Sequence, residues 1–263
     1  MKLGTQDKDF FPRNIEEKFE YVKNMGFDCF EIDGRVLIEH QKEVKNAIAV
    51  SGLPVSSACG GYRGWIGDFI EERRLNAVTD ISDILRLLSD IGGTGIVVPA
   101  AWGMFSYRLP PMTPPRSREG DKKALLASLD ALDPIAEKYG VWVYLEPLNR
   151  YEDHMLNTLA QAQDIIDAGH YRRVKLTYDF YHMNIEEDNM VASLKKYKDS
   201  IGHIHIAENH RYQPGTGSID WPLMMNALKE IHYEGPVINE GRVRGDNQSE
   251  AYQKSVMFMR KFM

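Results

Sequence analysis

The chain has 263 residues, 43% of them hydrophobic and 27% charged, which is the balance of a soluble globular protein. A formal charge of −6 argues against a nucleic-acid partner, which is held by clustered Lys and Arg, and the apolar stretches are strand-sized, too short to span a bilayer. Cys29 and Cys59 are too few for a disulfide framework, no CxxC pair exists, and residues 1–7 lack a signal-peptide core, so a cytoplasmic protein with reduced thiols is expected.

Short β-rich runs alternate with longer amphipathic segments, a pattern that predicts βα repeats and a parallel sheet. Eight strands are expected, at 3–6, 29–33, 54–58, 95–99, 142–146, 174–179, 203–207 and 237–240. The first helix follows Pro12 and stops at Gly26, with Ile15, Phe19, Val22 and Met25 three or four apart. A second is expected over 38–50, ended by Gly52 and Pro54; a third runs from about 68 to 91, and a fourth from about 122 to 139, stopped by Gly140. Helices starting near Thr158, Asn189, Asp220 and Gln248 complete the set. No low-complexity linker divides residues 1–263, so the expected fold is a single (β/α)8 TIM barrel, for which this length is normal.

One connection is irregular. Residues 100–119 carry Pro110, Pro111, Pro114 and Pro115 and follow the fourth strand, where a βα loop hangs over the barrel mouth. Its Trp102, Met104, Phe105 and Tyr107 either cover a bound ligand or pack against a subunit or neighbouring helix.

Glu146, Asp179, His205 and Glu240 end four successive strands, at separations of 33, 26 and 35 residues, about one strand–helix unit each. C-terminal strand ends of a barrel converge on one mouth, so three carboxylates and an imidazole meet there as an oxygen-rich site for one divalent cation. Strand alternation supports this: with the four residues inward, Val143, Leu145, Val174, Leu176, Tyr178, Ile204 and Ile206 face the helices. His203 shares the parity of His205 but lies deeper, which makes His205 the better ligand and His203 an interior hydrogen-bonding residue. Singly, each acidic residue reads as a solvated loop residue or helix cap; together they point to a metal. Glu152, His182 and Arg211 follow the ligands by six, three and six residues, and are either ordinary loop residues or contacts to a polyhydroxylated substrate. Gly215-Thr216-Gly217 is too short and misplaced for a dinucleotide loop, so no nucleotide cofactor is expected.

The segments LEPLNRYE (145–152), DFYHMNIEE (179–187), HIHIAENHRYQPGTGSIDW (203–221) and NEGR (239–242) resemble the site segments of the sugar isomerase/epimerase superfamily with a xylose isomerase-like barrel. Within it, the similarity is greatest to the D-tagatose/D-psicose (allulose) 3-epimerases. The resemblance implies that Glu146, Asp179, His205 and Glu240 bind Mn2+, with Mg2+ or Co2+ as substitutes. It implies that Glu146 and Glu240 carry the proton transfers, and that Glu152, His182 and Arg211 contact the O1–O2 end of the sugar. It also implies homodimers or homotetramers. The implied reaction is C3 epimerisation of a free ketohexose or ketopentose through an enediolate, with a base on one face and an acid on the other.

Two features depart from that family. NEGR has Asn before the glutamate and small Gly after it, and Gln6, Asp33, Arg35, Cys59 and Trp102 match no known epimerase pocket. An aldose–ketose isomerase or an inosose-type dehydratase would use the same metal centre, and a sugar-binding regulatory barrel is the non-enzyme alternative. A three-zinc nuclease is excluded, because Ala58-Cys59 and Pro99-Ala100 stand where further His ligands would be needed.

Overall fold

Alternation of apolar strands with amphipathic helices closes on itself in the computed structural model, which describes residues 1–103 and 114–263. Eight parallel strands form a closed barrel in sequence order: β1 (Lys2–Thr5), β2 (Cys29–Asp33), β3 (Val55–Cys59), β4 (Gly95–Pro99), β5 (Trp142–Glu146), β6 (Val174–Asp179), β7 (Ile201–Ile206) and β8 (Pro236–Asn239). Around them lie α1 (Ile15–Asn24), α2 (Gly34–Glu39), α3 (Gln41–Ser51), α4 (Glu71–Ile91), α5 (Arg118–Tyr139), α6 (Leu159–Gly169), α7 (Phe180–Glu186), α8 (Met190–Lys196), α9 (Trp221–Glu230) and α10 (Gln248–Met259). The expected TIM barrel is the observed one. No helix is long and apolar enough to cross a membrane among the described residues.

The core lies between strands and helices. Val143, Leu145, Leu176, Tyr178, Ile204 and Ile206 are all fully buried, and the Tyr178 hydroxyl donates to Met190 O on α8 at 2.8 Å, so this parity faces the helices as expected. The other parity faces the barrel axis, where Tyr144 stacks on His203 with ring centroids 5.0 Å apart.

Two helical expectations need correction. The helix expected over 38–50 is two helices, because the Asp33 side chain accepts from Arg35 N and Val36 N and starts α2 directly at the end of β2. His40 then leaves helical geometry and α3 begins anew, ending on left-handed Gly52 at φ 68° as the sequence indicated. Asp179 does the same at the end of β6, accepting from Tyr181 N and His182 N, so His182 sits on α7 and not in a loop. Strand ends move by one or two residues: β8 stops at Asn239, leaving Glu240 one position beyond it. Of the irregular connection, Met104, Phe105, Tyr107, Pro110 and Pro111 lie outside the described residues.

Candidate metal centre and substrate cavity

The strand register brings the four expected ligands together. Asp179 pairs with His205 across β6 and β7, Glu146 pairs with Pro99, and Glu240 N donates to Ile206 O at 3.1 Å. The ligand atoms of Glu146, Asp179, His205 and Glu240 all lie within 4.8 Å of one another. His205 Nδ1 is the hub, 3.1 Å from Glu146 Oε1, 2.8 Å from Glu240 Oε2 and 3.9 Å from Asp179 Oδ2.

One ring nitrogen carries at most one hydrogen, so it cannot satisfy three carboxylates. Glu240 Oε2 is buried and has no directed hydrogen bond among the described residues, despite its short approaches to His205 and Arg211. Burial first, and then the Glu240 and Asp179 carboxylates, push Glu146 up to about 7 against the pull of His205. Burial disfavours the charged form of His205, but Glu240, Glu31 and Glu146 outweigh it and hold the ring well above its usual range. Three carboxylates crowded on one imidazole are a set that a hard divalent cation fits.

Glu31 stands behind this set, on the other nitrogen of His205, and the sequence did not point to it. It lies mid-strand on β2 with 1% of its surface exposed, and its Oε1 is 2.8 Å from His205 Nε2. Its other oxygen lies 2.9 Å from His203 Nε2 and accepts from Ser57 Oγ at 2.6 Å. Burial opposes its charge, yet His205 and His203 hold its carboxyl far below the usual range. With Nε2 engaged by Glu31, Nδ1 of His205 is the nitrogen presented to the other carboxylates. A charged residue in the apolar run Cys29-Phe30-Glu31-Ile32 was the available signal.

Glu152, His182 and Arg211 stand on the cavity side of the cluster. The backbone N–H of Asn149 donates to His182 Nδ1 at 3.0 Å; that nitrogen is therefore an acceptor, and the neutral ring carries its proton on Nε2. Burial, opposed by Asp179, lowers the pKa of His182. Both oxygens of Glu152 are held, one by Asn149 Nδ2 at 2.9 Å and one by Trp102 Nε1 at 2.8 Å. Arg211, at φ 64° in a left-handed conformation rare for a side chain of its size, spans Asp179 Oδ2 at 2.7 Å and Glu240 Oε2 at 2.6 Å. Its guanidinium lies 4.7 Å above the Tyr181 ring.

These groups border a cavity of about 700 Å3 whose wall includes Gln6, Trp102, Glu152, Arg211, Glu240 and Arg242. A deeper chamber of about 180 Å3 reaches Glu146, His182, Cys59 and Tyr62. The Tyr62 hydroxyl is buried there without a hydrogen-bond partner among the described residues, a second contact that no sequence pattern revealed. Lys8 is a third: its Nζ donates to Asn239 O at 3.1 Å, and burial, opposed by Glu240, brings it down to about 8. Of the first-half residues noted in the sequence, Gln6, Cys59 and Trp102 line the cavities. Asp33 and Arg35 do not: Asp33 caps α2, and Arg35 points to Asp80 at 3.3 Å.

A family profile described as xylose isomerase-like TIM barrel matches residues 19–262. The 3-dehydro-D-guloside 4-epimerase of Escherichia coli (strain K12) is 55% identical over 260 residues, 99% of each chain. The D-psicose 3-epimerase of Enterocloster bolteae is 38% identical over 242 residues, 89% of this chain and 78% of that protein. Among solved structures, apo 3-keto-D-glucoside 4-epimerase from E. coli superposes with a TM-score of 0.98 at 55% identity, covering 99% of both chains. D-Psicose 3-epimerase with D-tagatose from Clostridium cellulolyticum H10 superposes with a TM-score of 0.84 at 25% identity, covering 100% of this chain and 99% of that one.

Proposed function

Because the chain belongs to the xylose isomerase-like TIM barrel family, in which its near relatives are isomerases of the epimerase type, we propose that it inverts a carbon next to a ketone in a sugar. The substrate we assign is a 3-keto hexoside, and the inverted centre is C4. Full-length identity of 55% to a 4-epimerase, against 38% to a 3-epimerase, supports C4 over the C3 of a free ketose.

The observation that carries the reading is the pair Glu146 and Glu240. They approach one imidazole nitrogen at 3.1 and 2.8 Å from β5 and the end of β8, walls separated by two intervening strands of the closed ring. A carbon held between those two walls would meet a carboxylate on each face, which is what removing a proton from one side and returning it on the other requires. Glu146, Asp179, His205 and Glu240 would hold a divalent cation, Mn2+ in our assignment, which when bound supplies positive charge for the oxygen that gains charge as the proton leaves. Arg211 and the Nε2–H of His182 donate toward sugar oxygens, and Glu152, fixed by Asn149 and Trp102, accepts from a sugar hydroxyl. C3 epimerisation of a free ketose needs the same two carboxylates and is the second reading, favoured by the psicose 3-epimerase relative. The free thiols Cys29 and Cys59 support a reducing, cytoplasmic setting. A homodimer or homotetramer is proposed on the family resemblance alone.

Incubation of the Mn2+-loaded protein in D2O with methyl 3-keto-β-D-glucopyranoside and, separately, with free ketoses, followed by NMR, tests this. Deuterium at C4 with a new C4 epimer is the expected result. Exchange only at C3 of free ketoses would move the protein to the second reading. Aldose formation or loss of water would make it an isomerase or a dehydratase.

A further inference from the structure

We propose that a second cavity, opening beside the active one between the β1 loop and the end of β8, is a subsite for a second sugar ring, so that the substrate is a disaccharide-like glycoside. This rests on the reading of the chain as a 3-keto hexoside epimerase.

The cavity measures about 480 Å3 and shares Gln6, Glu240 and Arg242 with the active cavity, so the two meet across those side chains. Its volume alone falls in the range of roughly 300–1,000 Å3 that houses small-molecule ligands. The active cavity and this one together, at about 700 and 480 Å3, offer more room than the one hexose ring on which Glu146 and Glu240 would act. A substituent on that ring's anomeric oxygen needs somewhere to go, and the adjoining cavity provides it.

Its chemistry selects the occupant. The Arg242 guanidinium makes no hydrogen bond or ion pair among the described residues, while the neighbouring Arg211 is committed to Asp179 and Glu240. Arg242 is therefore a set of free donors on the border of both cavities. Its backbone place is built: its N–H donates to Arg211 O at 2.8 Å, and it bridges to Tyr212. Gly241 allows this approach, since a Cβ there would meet Tyr212 O at 2.7 Å. Lys8 adds ammonium hydrogens beyond the one given to Asn239 O. Asp7 and Asp9 place carboxylates on the same wall. A lining that both donates and accepts suits a ring of hydroxyls.

The test compares kcat/KM of the Mn2+-loaded protein on methyl 3-keto-α-D-glucopyranoside and on 3-ketotrehalose, which share the α anomeric configuration. We expect the disaccharide to be favoured at least tenfold, mainly through KM, and Arg242→Ala to bring that ratio close to one. Arg242→Lys should restore part of it, and circular dichroism checks that the variants fold. Equal constants in the wild type, or a ratio that Arg242→Ala leaves untouched, would overturn the subsite. If neither compound is epimerised, calorimetry with unoxidised trehalose and methyl glucoside decides. Tighter trehalose binding that is lost in Arg242→Ala upholds the subsite while sinking the epimerase reading. Indistinguishable binding sinks the subsite.

Discussion

Glu240 carries two burdens, since it ends the cluster around His205 Nδ1 and also answers Arg211. Its amide replacement keeps the shape and removes the proton-accepting group. Glu240→Gln should therefore lower kcat by at least about a thousandfold in a folded protein, in the upper half of the hundred- to ten-thousandfold range of a lone acid or base, because it also belongs to the ligand set. Near-normal turnover would remove it from proton transfer. Glu152 differs, for Asn149 and Trp102 fix its oxygens to receive a sugar hydroxyl and not to move a proton, so Glu152→Gln should raise KM more than it lowers kcat. Glu31 acts one step back. Glu31→Gln loosens the group that fixes the His205 ring, and Mn2+ affinity by competition titration should fall about 10- to 100-fold. Unchanged affinity would mean that the strand alone orients His205.

At the scale of elements, legibility in the sequence tracked length and capping. The helices starting at Thr158, Asn189 and Asp220 were readable because a side-chain acceptor stands at each start, and all three side chains do accept a backbone N–H there. Thr158 goes further and forms a capping box, its hydroxyl accepting from Gln161 N while the Gln161 amide oxygen accepts from Thr158 N. Thr158→Ala should cost about 1 kcal/mol in urea unfolding, a loss that Thr158→Ser recovers. The helices α2 and α7 were not readable: six or seven residues show no periodicity, and unlike the equally short α8 they have no cap clear of a strand end. Their caps, Asp33 and Asp179, sit at strand ends where a carboxylate equally suggests a ligand. Asp179 is in both positions at once: Oδ1 caps α7 and Oδ2 faces Arg211 and the cluster, so one side chain ties helix geometry to site geometry. Strand-end spacing revealed the four convergent residues, but not Glu31: its charge stands out in an apolar run, yet a mid-strand acid shares no strand-end position with the others and acquires its meaning only when β7 places two histidines against it.

A closed barrel has no free edge, so the whole molecule depends on joining its first and last segments, and β1 pairs with β8 over four residues. Asp28 reinforces that seam from outside. Its carboxylate accepts from Leu3 N on β1 at 2.8 Å and from both terminal nitrogens of Arg260, just past α10, at 2.8 and 2.7 Å. Partial burial would raise its pKa, but the Arg260 bonds and the Leu3 N–H prevail and lower it. The folded state thus holds Asp28 more acidic than the unfolded chain does, where its pKa is about 3.9. The stabilisation is therefore complete above that unfolded value and disappears as pH falls through the lower folded one. Asp28→Asn keeps the side-chain volume and removes the charge. Its urea midpoint should lie below the wild type's from pH 5 to 7, and the gap should begin to narrow below about pH 4 and close only once pH passes the lower folded value, where the wild-type carboxyl also loses its charge. Salt should narrow the gap at neutral pH, because Arg260 and Asp28 are both partly open to solvent. A gap constant from pH 7 to pH 2 would show that the Asn amide fails by shape and that charge has no part in sealing the barrel.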